Sequence, residues 1–312
     1  MPSSPLLRSR RLRSHPPRSG AGLAGALLSL LAIGLVACGD ASKAGAVLRI
    51  TALPDARTTE LDPKYALVAG ALSDALGVEV EYVPVADYGA SVEAFKNGDV
   101  QLAWFGGVTG VQARHAVPGA RVIAFGAIDA AFRSAFVANA DAGVAPSEAF
   151  PMGLAGKRFT FGNADSTSGR VMPEHFLRRE TGKAPDEFFG EVNLNGGKHP
   201  IVARNVEAGV WEAGVLNFKT YDDLVASGDL DPERCVKVWE TPPYADYNWT
   251  AHPDLDATFG EGFIERLQAA LVAIEDPVLL EALQRPDGLV AADDSAFADL
   301  RALCLQLGLI EG

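Results

Sequence analysis

Val47-Leu-Arg-Ile-Thr-Ala-Leu53, then Asp62-Pro63 ahead of Tyr65, Val68, Ala69, Leu72, Ala75 and Leu76, then Val78-Glu-Val-Glu-Tyr-Val-Pro-Val85: these residues set the fold class. The first apolar run, ended by Pro54, reads as a strand. Asp62 suits an N-cap, and Pro63 suits the first helical position because it has no N–H to leave unpaired. The apolar residues that follow recur at helical spacing and lay one face on a sheet. Gly77 stops the helix, and alternation resumes as a second strand. Residues 47–85 are thus a β-α-β unit.

The same grammar continues along the chain. Asp87 caps a helix running through Phe95, with Asn97-Gly98 as its stop. Val100–Phe105 is a buried strand that turns at Gly106-Gly107 into a helix opened by Thr109. Arg121–Ile128 and Ser134–Ala138 are strands. After Pro146 the pattern restarts, with strands at Arg158–Gly162, Glu191–Leu194 and Val210–Leu216 and helices at Ser168–Arg179 and His199–Glu207. Val236–Glu240 and Tyr247–Thr250 add strands; Phe259–Ile274 and Ala296–Leu307 add helices. Alternation of this kind predicts mainly parallel sheets covered on both faces. The arrangement expected is two α/β lobes, residues 48–135 with 245–312 and residues 136–244. Two crossings, near Phe132–Asn139 and Pro242–Thr250, would join them as a hinge. A ligand would bind in the cleft between, at the carboxyl ends of the strands.

Residues 1–37 do not belong to this fold. Five arginines without an acidic residue precede an apolar run, Ala21–Ala37, which ends at Leu35-Val36-Ala37-Cys38. Basic region, apolar core and small residues at a cleavage point are the parts of a secretory signal. A retained anchor helix is the alternative, the run of about 17 residues being at the short end for a membrane span. Leu-Val-Ala-Cys resembles the bacterial lipobox, which makes Cys38 a lipidated first residue and 38–47 a tether; an ordinary peptidase cut nearby is the other reading. Gly20-Ala-Gly-Leu-Ala-Gly25 matches a dinucleotide fingerprint but follows no strand, so it is a decoy. Without the signal, 22 basic residues face 40 acidic ones, a net charge of −18. No basic stripe remains, which argues against nucleic acid as a partner. Cys235 and Cys304 read either as unpaired core residues or as one disulfide.

The chemistry concentrates in Phe161-Gly-Asn-Ala-Asp-Ser166-Thr167-Ser168-Gly169. A strand ends, a polar turn follows and a helix begins, so unpartnered amides carrying partial positive charge sit beside three hydroxyls. Such a corner cradles an anion; equally, Ser168 could be a plain N-cap. Pro173 either opens the main helix or kinks its first turn. Gly106 and Gly107 expose donors at a second strand-to-helix corner, where Thr109 caps the helix or touches a ligand. Tyr88 could face the cleft or sit in the core, and His199 opens a helix where it could donate to an anion. No G-x-S-x-G elbow, P-loop or H-E-x-x-H occurs, and the histidines never cluster at metal spacing, so neither catalytic machinery nor a metal or cofactor is expected.

Asp87-Tyr88…Val92-Glu93-Ala94, Ala103-Trp-Phe-Gly-Gly107, Phe161-Gly162…Ser166-Thr-Ser-Gly169…Pro173 and Gly196-Gly-Lys-His199 resemble motifs of one family. It is the substrate-binding proteins of phosphate, phosphite and phosphonate ABC importers, which have the type II periplasmic-binding-protein fold. The resemblance runs from Leu48 to Gly308. Thr109–Arg114, Thr241-Pro-Pro-Tyr244 and Tyr247-Asn-Trp-Thr250 are most similar to members labelled selenate-binding. The resemblance implies that Tyr88, Ser166, Thr167, Ser168 and His199 hold a small tetrahedral oxyanion; Phe105, Gly106, Thr109, Phe132 and Lys219 are the further candidates for lining the site. It further implies an extracytoplasmic lipoprotein that hands its ligand to an ABC permease and catalyses nothing. A sensor feeding a receptor, and a secreted enzyme with His199 as general base, are the other readings. Lys219 stands where aminoalkylphosphonate binders carry an acidic residue, and Phe132 where they carry a tyrosine. Both departures point away from an amine-bearing ligand.

Overall fold

The computed structural model describes residues 45–56 and 58–312. The signal, Cys38 and most of the tether lie outside them. In the first half of the described chain, strands β1 (Val47–Ala52), β2 (Glu79–Tyr82), β3 (Leu102–Phe105) and β4 (Arg121–Gly126) alternate with helices α1 (Thr58–Leu76), α2 (Tyr88–Lys96) and α3 (Gly107–Ala116). The middle holds β5 (Ser134–Asn139), β6 (Arg158–Thr160), α4 (Met172–Thr181), α5 (Pro185–Phe188), β7 (Glu191–Asn193), α6 (His199–Glu207), β8 (Ala213–Asn217), α7 (Phe218–Ala226) and β9 (Cys235–Glu240). The chain then supplies β10 (Asn248–Ala251), α8 (Leu255–Phe259), α9 (Phe263–Val272), α10 (Pro277–Ala282), β11 (Leu289–Ala291) and α11 (Ala298–Gln306).

The strands form two sheets, one per lobe, ordered β11-β4-β10-β3-β1-β2 and β7-β6-β8-β5-β9. Each is mixed, which corrects the expectation of mainly parallel sheets. β1 runs parallel to β2 and β3, but β10 is antiparallel to both β3 and β4. In the second sheet β6 is parallel to β7 and β8, while β5 is antiparallel to β8 and β9. Local pattern identifies a strand; the direction from which the chain re-enters the sheet decides its sense. Between the sheets Phe132 and Tyr244 exchange backbone hydrogen bonds of 2.8 and 3.0 Å, an isolated antiparallel bridge; the crossings are shorter than expected, since Ser134–Asn139 is β5 and Asn248–Ala251 is β10.

Both faces of the first sheet are covered. Leu48, Ile50 and Trp249 pack with Leu72 of α1 and Leu267 and Leu271 of α9. Phe105 packs on the other face with Phe95 of α2, their rings edge to face at 5.5 Å. The second sheet carries an aromatic core of Phe136, Phe159, Phe176 and Trp239 on one side and Val202, Val206 and Leu216 on the other.

Helix α1 begins at Thr58, four residues before the expected cap, and takes Pro63 inside it. Pro63 is the sixth residue of this helix, so its missing N–H leaves the Thr59 carbonyl without an intrahelical donor. The single helix expected over Phe259–Ile274 is two, because Gly260 and Gly262 adopt φ of 99° and 74°, which a right-handed helix cannot carry. Cys235 and Cys304 are both free and buried, in separate core clusters, so the disulfide reading is set aside.

Candidate functional site

The Phe161–Gly169 corner enters its helix through a π-helical turn, Thr167–Val171, before α4 proper. A π turn inside a helix spreads the backbone by one residue and recurs at functional sites. The N-cap is Ser166, not Ser168: the Ser166 hydroxyl accepts from the Gly169 N–H at 3.0 Å. Pro173 falls at the opening of α4, where its missing N–H is harmless. Thr167 and Ser168 are therefore first-turn residues, with amides that have no intrahelical acceptor. Gly169 is needed for close approach, since a Cβ there would lie 3.0 Å from Ser166 Oγ and 3.2 Å from the His199 ring.

Five of the residues predicted from sequence converge here and are buried: Tyr88, Ser166, Thr167, Ser168 and His199. Tyr88 begins α2, which Asp87 caps by accepting from Ala90 N at 2.8 Å. Its phenol meets the Ser166 hydroxyl, and burial holds its pKa well above the usual value. His199 begins α6, and its Nδ1 accepts from the Asn217 backbone N–H at 3.3 Å. That bond leaves the ring proton on Nε2, which is buried without a hydrogen-bond partner. Burial lowers the His199 pKa to about 4, Asp55 pulling weakly the other way, so the ring is a neutral donor at physiological pH.

The second corner behaves differently from its sequence reading. The Gly107 N–H donates to Asp246 Oδ1 at 2.8 Å and the Val108 N–H to Thr167 Oγ1 at 2.9 Å. These α3 donors are engaged within the protein, and they bring the two corners face to face. Gly106 lies against Leu53, Asp246 and Thr167. Thr109 donates to the Gly106 carbonyl at 3.2 Å, a local bond, and Phe105 is fully buried in the core. Phe132 packs against Phe218 and Tyr247. Lys219 pairs with Asp223 on its own helix at 2.6 Å. With Asp55, Trp104, Phe132, Tyr247 and Arg285 it lines a neighbouring cavity of about 10 Å³, room for about one water.

Asp246 is the residue that sequence reasoning missed. It is buried against Gly107, Thr167 and Ser168, and its Oδ2 makes no hydrogen bond of ordinary geometry. Burial pushes its pKa up to about 7; the Gly107 N–H and the two hydroxyls act against this shift and the buried Asp129 adds to it. The signal was one carboxylate between Tyr244 and Tyr247 in a stretch otherwise read as a crossing. Nearby, Tyr247 donates to Asp55 at 2.7 Å and accepts from Asn217 Nδ2 at 3.3 Å; Tyr244 shares a 2.5 Å hydrogen bond with Ser134 and reaches Ser168. The site thus combines hydroxyls, helix-start amides, a neutral imidazole N–H and one acidic acceptor. Among the described residues no group of His, Cys, Asp and Glu is arranged to hold a metal, and no helix is long and apolar enough to cross a membrane.

Residues 50–297 match the family model described as "ABC transporter, phosphonate, periplasmic substrate-binding protein". The Prochlorococcus marinus (strain MIT 9301) protein named "Probable ABC transporter phosphite binding protein PhnD1" is 37% identical over 231 residues, covering 73% of this chain and 77% of that protein. The Mycolicibacterium smegmatis "Phosphate-import protein PhnD" is 29% identical over 209 residues, 62% of each chain. Among solved structures, PhnD1 in complex with methylphosphonate superposes with a TM-score of 0.79 at 33% identity, over 85% of this chain and 99% of that one. The periplasmic aliphatic sulphonate binding protein SsuA from Escherichia coli, at 13% identity and a TM-score of 0.53 over 85% and 88% of the two chains, shares the fold. Fold and sequence agree: the chain belongs to the periplasmic substrate-binding proteins of phosphonate ABC transporters, and it is an extracytoplasmic binding component, not an enzyme.

Proposed function

We propose that this protein captures a small, partly protonated tetrahedral oxyanion, of the methylphosphonate or phosphite kind, between its lobes and delivers it to a permease. The carrying observation is the pair of opposite groups left with bonding capacity in one buried site: the His199 Nε2 donor and the Asp246 Oδ2 acceptor. Tyr88, Ser166, Thr167, Ser168 and the first π-turn amides supply donors for ionised oxygens. A carboxylate in such a place is unfavourable unless a proton lies between it and the anion. A ligand with one P–OH group meets that demand. The PhnD1 complex, which holds methylphosphonate, supports this reading, as does that protein's name.

Lys219 and Arg285 line the adjoining narrow cavity, where the ammonium of an aminoethyl arm would meet groups of like charge. The ligand is accordingly small and carries no amine. The lobes divide at the Phe132–Tyr244 bridge, which acts as the hinge, with β5 from Ser134 onward belonging to the second lobe, and a lipid on Cys38 tethers the protein to a membrane. Calorimetry of the soluble domain against methylphosphonate, phosphite, phosphate, sulfate, selenate and 2-aminoethylphosphonate tests the reading. Saturable one-to-one binding tightest for methylphosphonate or phosphite is expected. Binding tightest to the aminated ligand, or to none, would refute it.

A further inference from the structure

Two charged residues outside the oxyanion cluster stand directly behind it. Asp129 lies in the turn after β4 and Arg285 in the turn after α10, 156 residues apart. Arg285 Nε and Nη2 donate to Asp129 Oδ2 and Oδ1 at 2.6 and 2.9 Å, a two-point fork with both side chains almost wholly buried. The Gly126 N–H donates to the same carboxylate at 2.9 Å. A Cβ on Gly126 would lie 2.4 Å from Arg285 and 2.5 Å from Asp129, so this turn is shaped around the pair.

The pair holds two consecutive residues from opposite ends. The Asp129 carbonyl accepts from the Asp246 N–H at 3.1 Å. The guanidinium carbon lies 5.0 Å from the centre of the Tyr247 ring, 5.2 Å from Trp104 and 5.9 Å from Phe132. Trp104 and Tyr247 stack at 5.8 Å, so one flat cation orders a wall of three rings. From Tyr247 the chain of contacts runs through Asn217 to His199 Nδ1. Stability alone is a weak account of the arrangement, because an apolar pair of similar volume often serves a buried position as well as an ion pair does. What an ion pair adds is a fixed geometry.

We infer that Arg285, acting through Asp129, is a positioning residue of the oxyanion site: it sets where the Asp246 carboxyl and the Tyr247 ring stand. The inference rests on reading the cluster as an oxyanion site. It requires that breaking the fork degrade recognition while the fold survives.

The test uses the soluble domain as wild type, as the Asp129→Leu/Arg285→Met double variant and as Arg285→Lys. Each is titrated with methylphosphonate and phosphate from pH 6 to 8.5 and melted in parallel. The double variant keeps its Tm within a few degrees and loses at least tenfold in methylphosphonate affinity, and its affinity responds less to pH than the wild type's. Arg285→Lys keeps the charge, loses the fork and shows a smaller loss in the same direction. If the double variant fails to fold, Arg285→Lys decides by the same affinity and pH measurements. Folded variants with wild-type affinity and pH response would overturn the inference, as would failure of both variants to fold, which would make the pair a folding requirement only. A wild type that binds neither anion would remove the oxyanion reading itself, whereas a binding wild type with indifferent variants removes only this inference.

Discussion

Asp246→Asn separates the roles of the buried carboxyl. The substitution keeps the shape and the acceptor for the Gly107 N–H, now 2.8 Å from Oδ1, but puts an NH₂ where the unpartnered Oδ2 stands. With the proton between ligand and carboxylate lost, the cost is that of a hydrogen bond to a charged group, about 1.5–3 kcal/mol, or roughly 10- to 150-fold in affinity near pH 6. Above pH 7 the Asp246 carboxyl, with its pKa about 7, and the ligand are both ionised. Wild-type binding must then take up a proton, and its affinity falls by about tenfold per pH unit. The asparagine variant has no carboxyl to protonate, so its affinity falls less steeply and the two curves converge at alkaline pH. Stability moves the other way. The carboxyl's pKa rises from 3.8 to about 7 on folding, so the folded state binds the extra proton. Its penalty is absent below pH 4, grows between pH 4 and 7 and is constant above. Three units amount to about 4 kcal/mol at most, so the variant should be more stable than wild type at pH 8 and nearly equal at pH 4. Calorimetric titration and thermal melts across pH 4–9 measure both effects. An asparagine variant with wild-type affinity at pH 6 and the same alkaline slope would refute the reasoning.

Thr167→Ala and Ser168→Ala should each weaken methylphosphonate binding by about 10- to 150-fold in the same titration without unfolding the domain; wild-type affinity would return these hydroxyls to a structural role. His199→Gln should weaken binding by a factor that is constant from pH 5.5 to 8, because a ring with its pKa near 4 does not titrate there; a loss confined to acid pH would show that the imidazolium is the binding form. Small-angle scattering should give a smaller radius of gyration with saturating methylphosphonate than without, and an unchanged profile would argue against a hinge at the Phe132–Tyr244 bridge. Mass spectrometry of membrane-extracted protein should find a diacylglyceryl group on Cys38, and a mature chain starting elsewhere would remove the anchor.

The elements most legible in sequence were those with a strong period and a good stop. The helix over His199–Glu207 stands as read, and β5 and β9 differ from expectation by a residue at one end. Strand direction was not legible, since β10 carries the same apolar signature whichever way it runs. The Ser166–Gly169 corner was visible because hydroxyls and glycine beside a helix start have few other uses. Which hydroxyl caps was not, because a π turn leaves no mark in composition. Asp246 escaped because its importance comes from burial against residues far off in sequence, Gly107 being 139 positions away. Lys219 was placed by analogy with relatives, and a neighbour four residues on, Asp223, takes its charge.

The central slot of the first sheet has a consequence for biogenesis. β10 fills the gap between β3 and β4, so residues 248–251 complete a layer whose other central strands end by residue 126. During synthesis that layer waits, with the apolar edges of β3 and β4 unpaired, until the whole second sheet has been made. Closing it late means bringing together segments more than 120 residues apart, the kind of long-range pairing that slows folding. The order in which the strands are encoded therefore leaves the first sheet without its central strand until residue 251 of the 312 has been made.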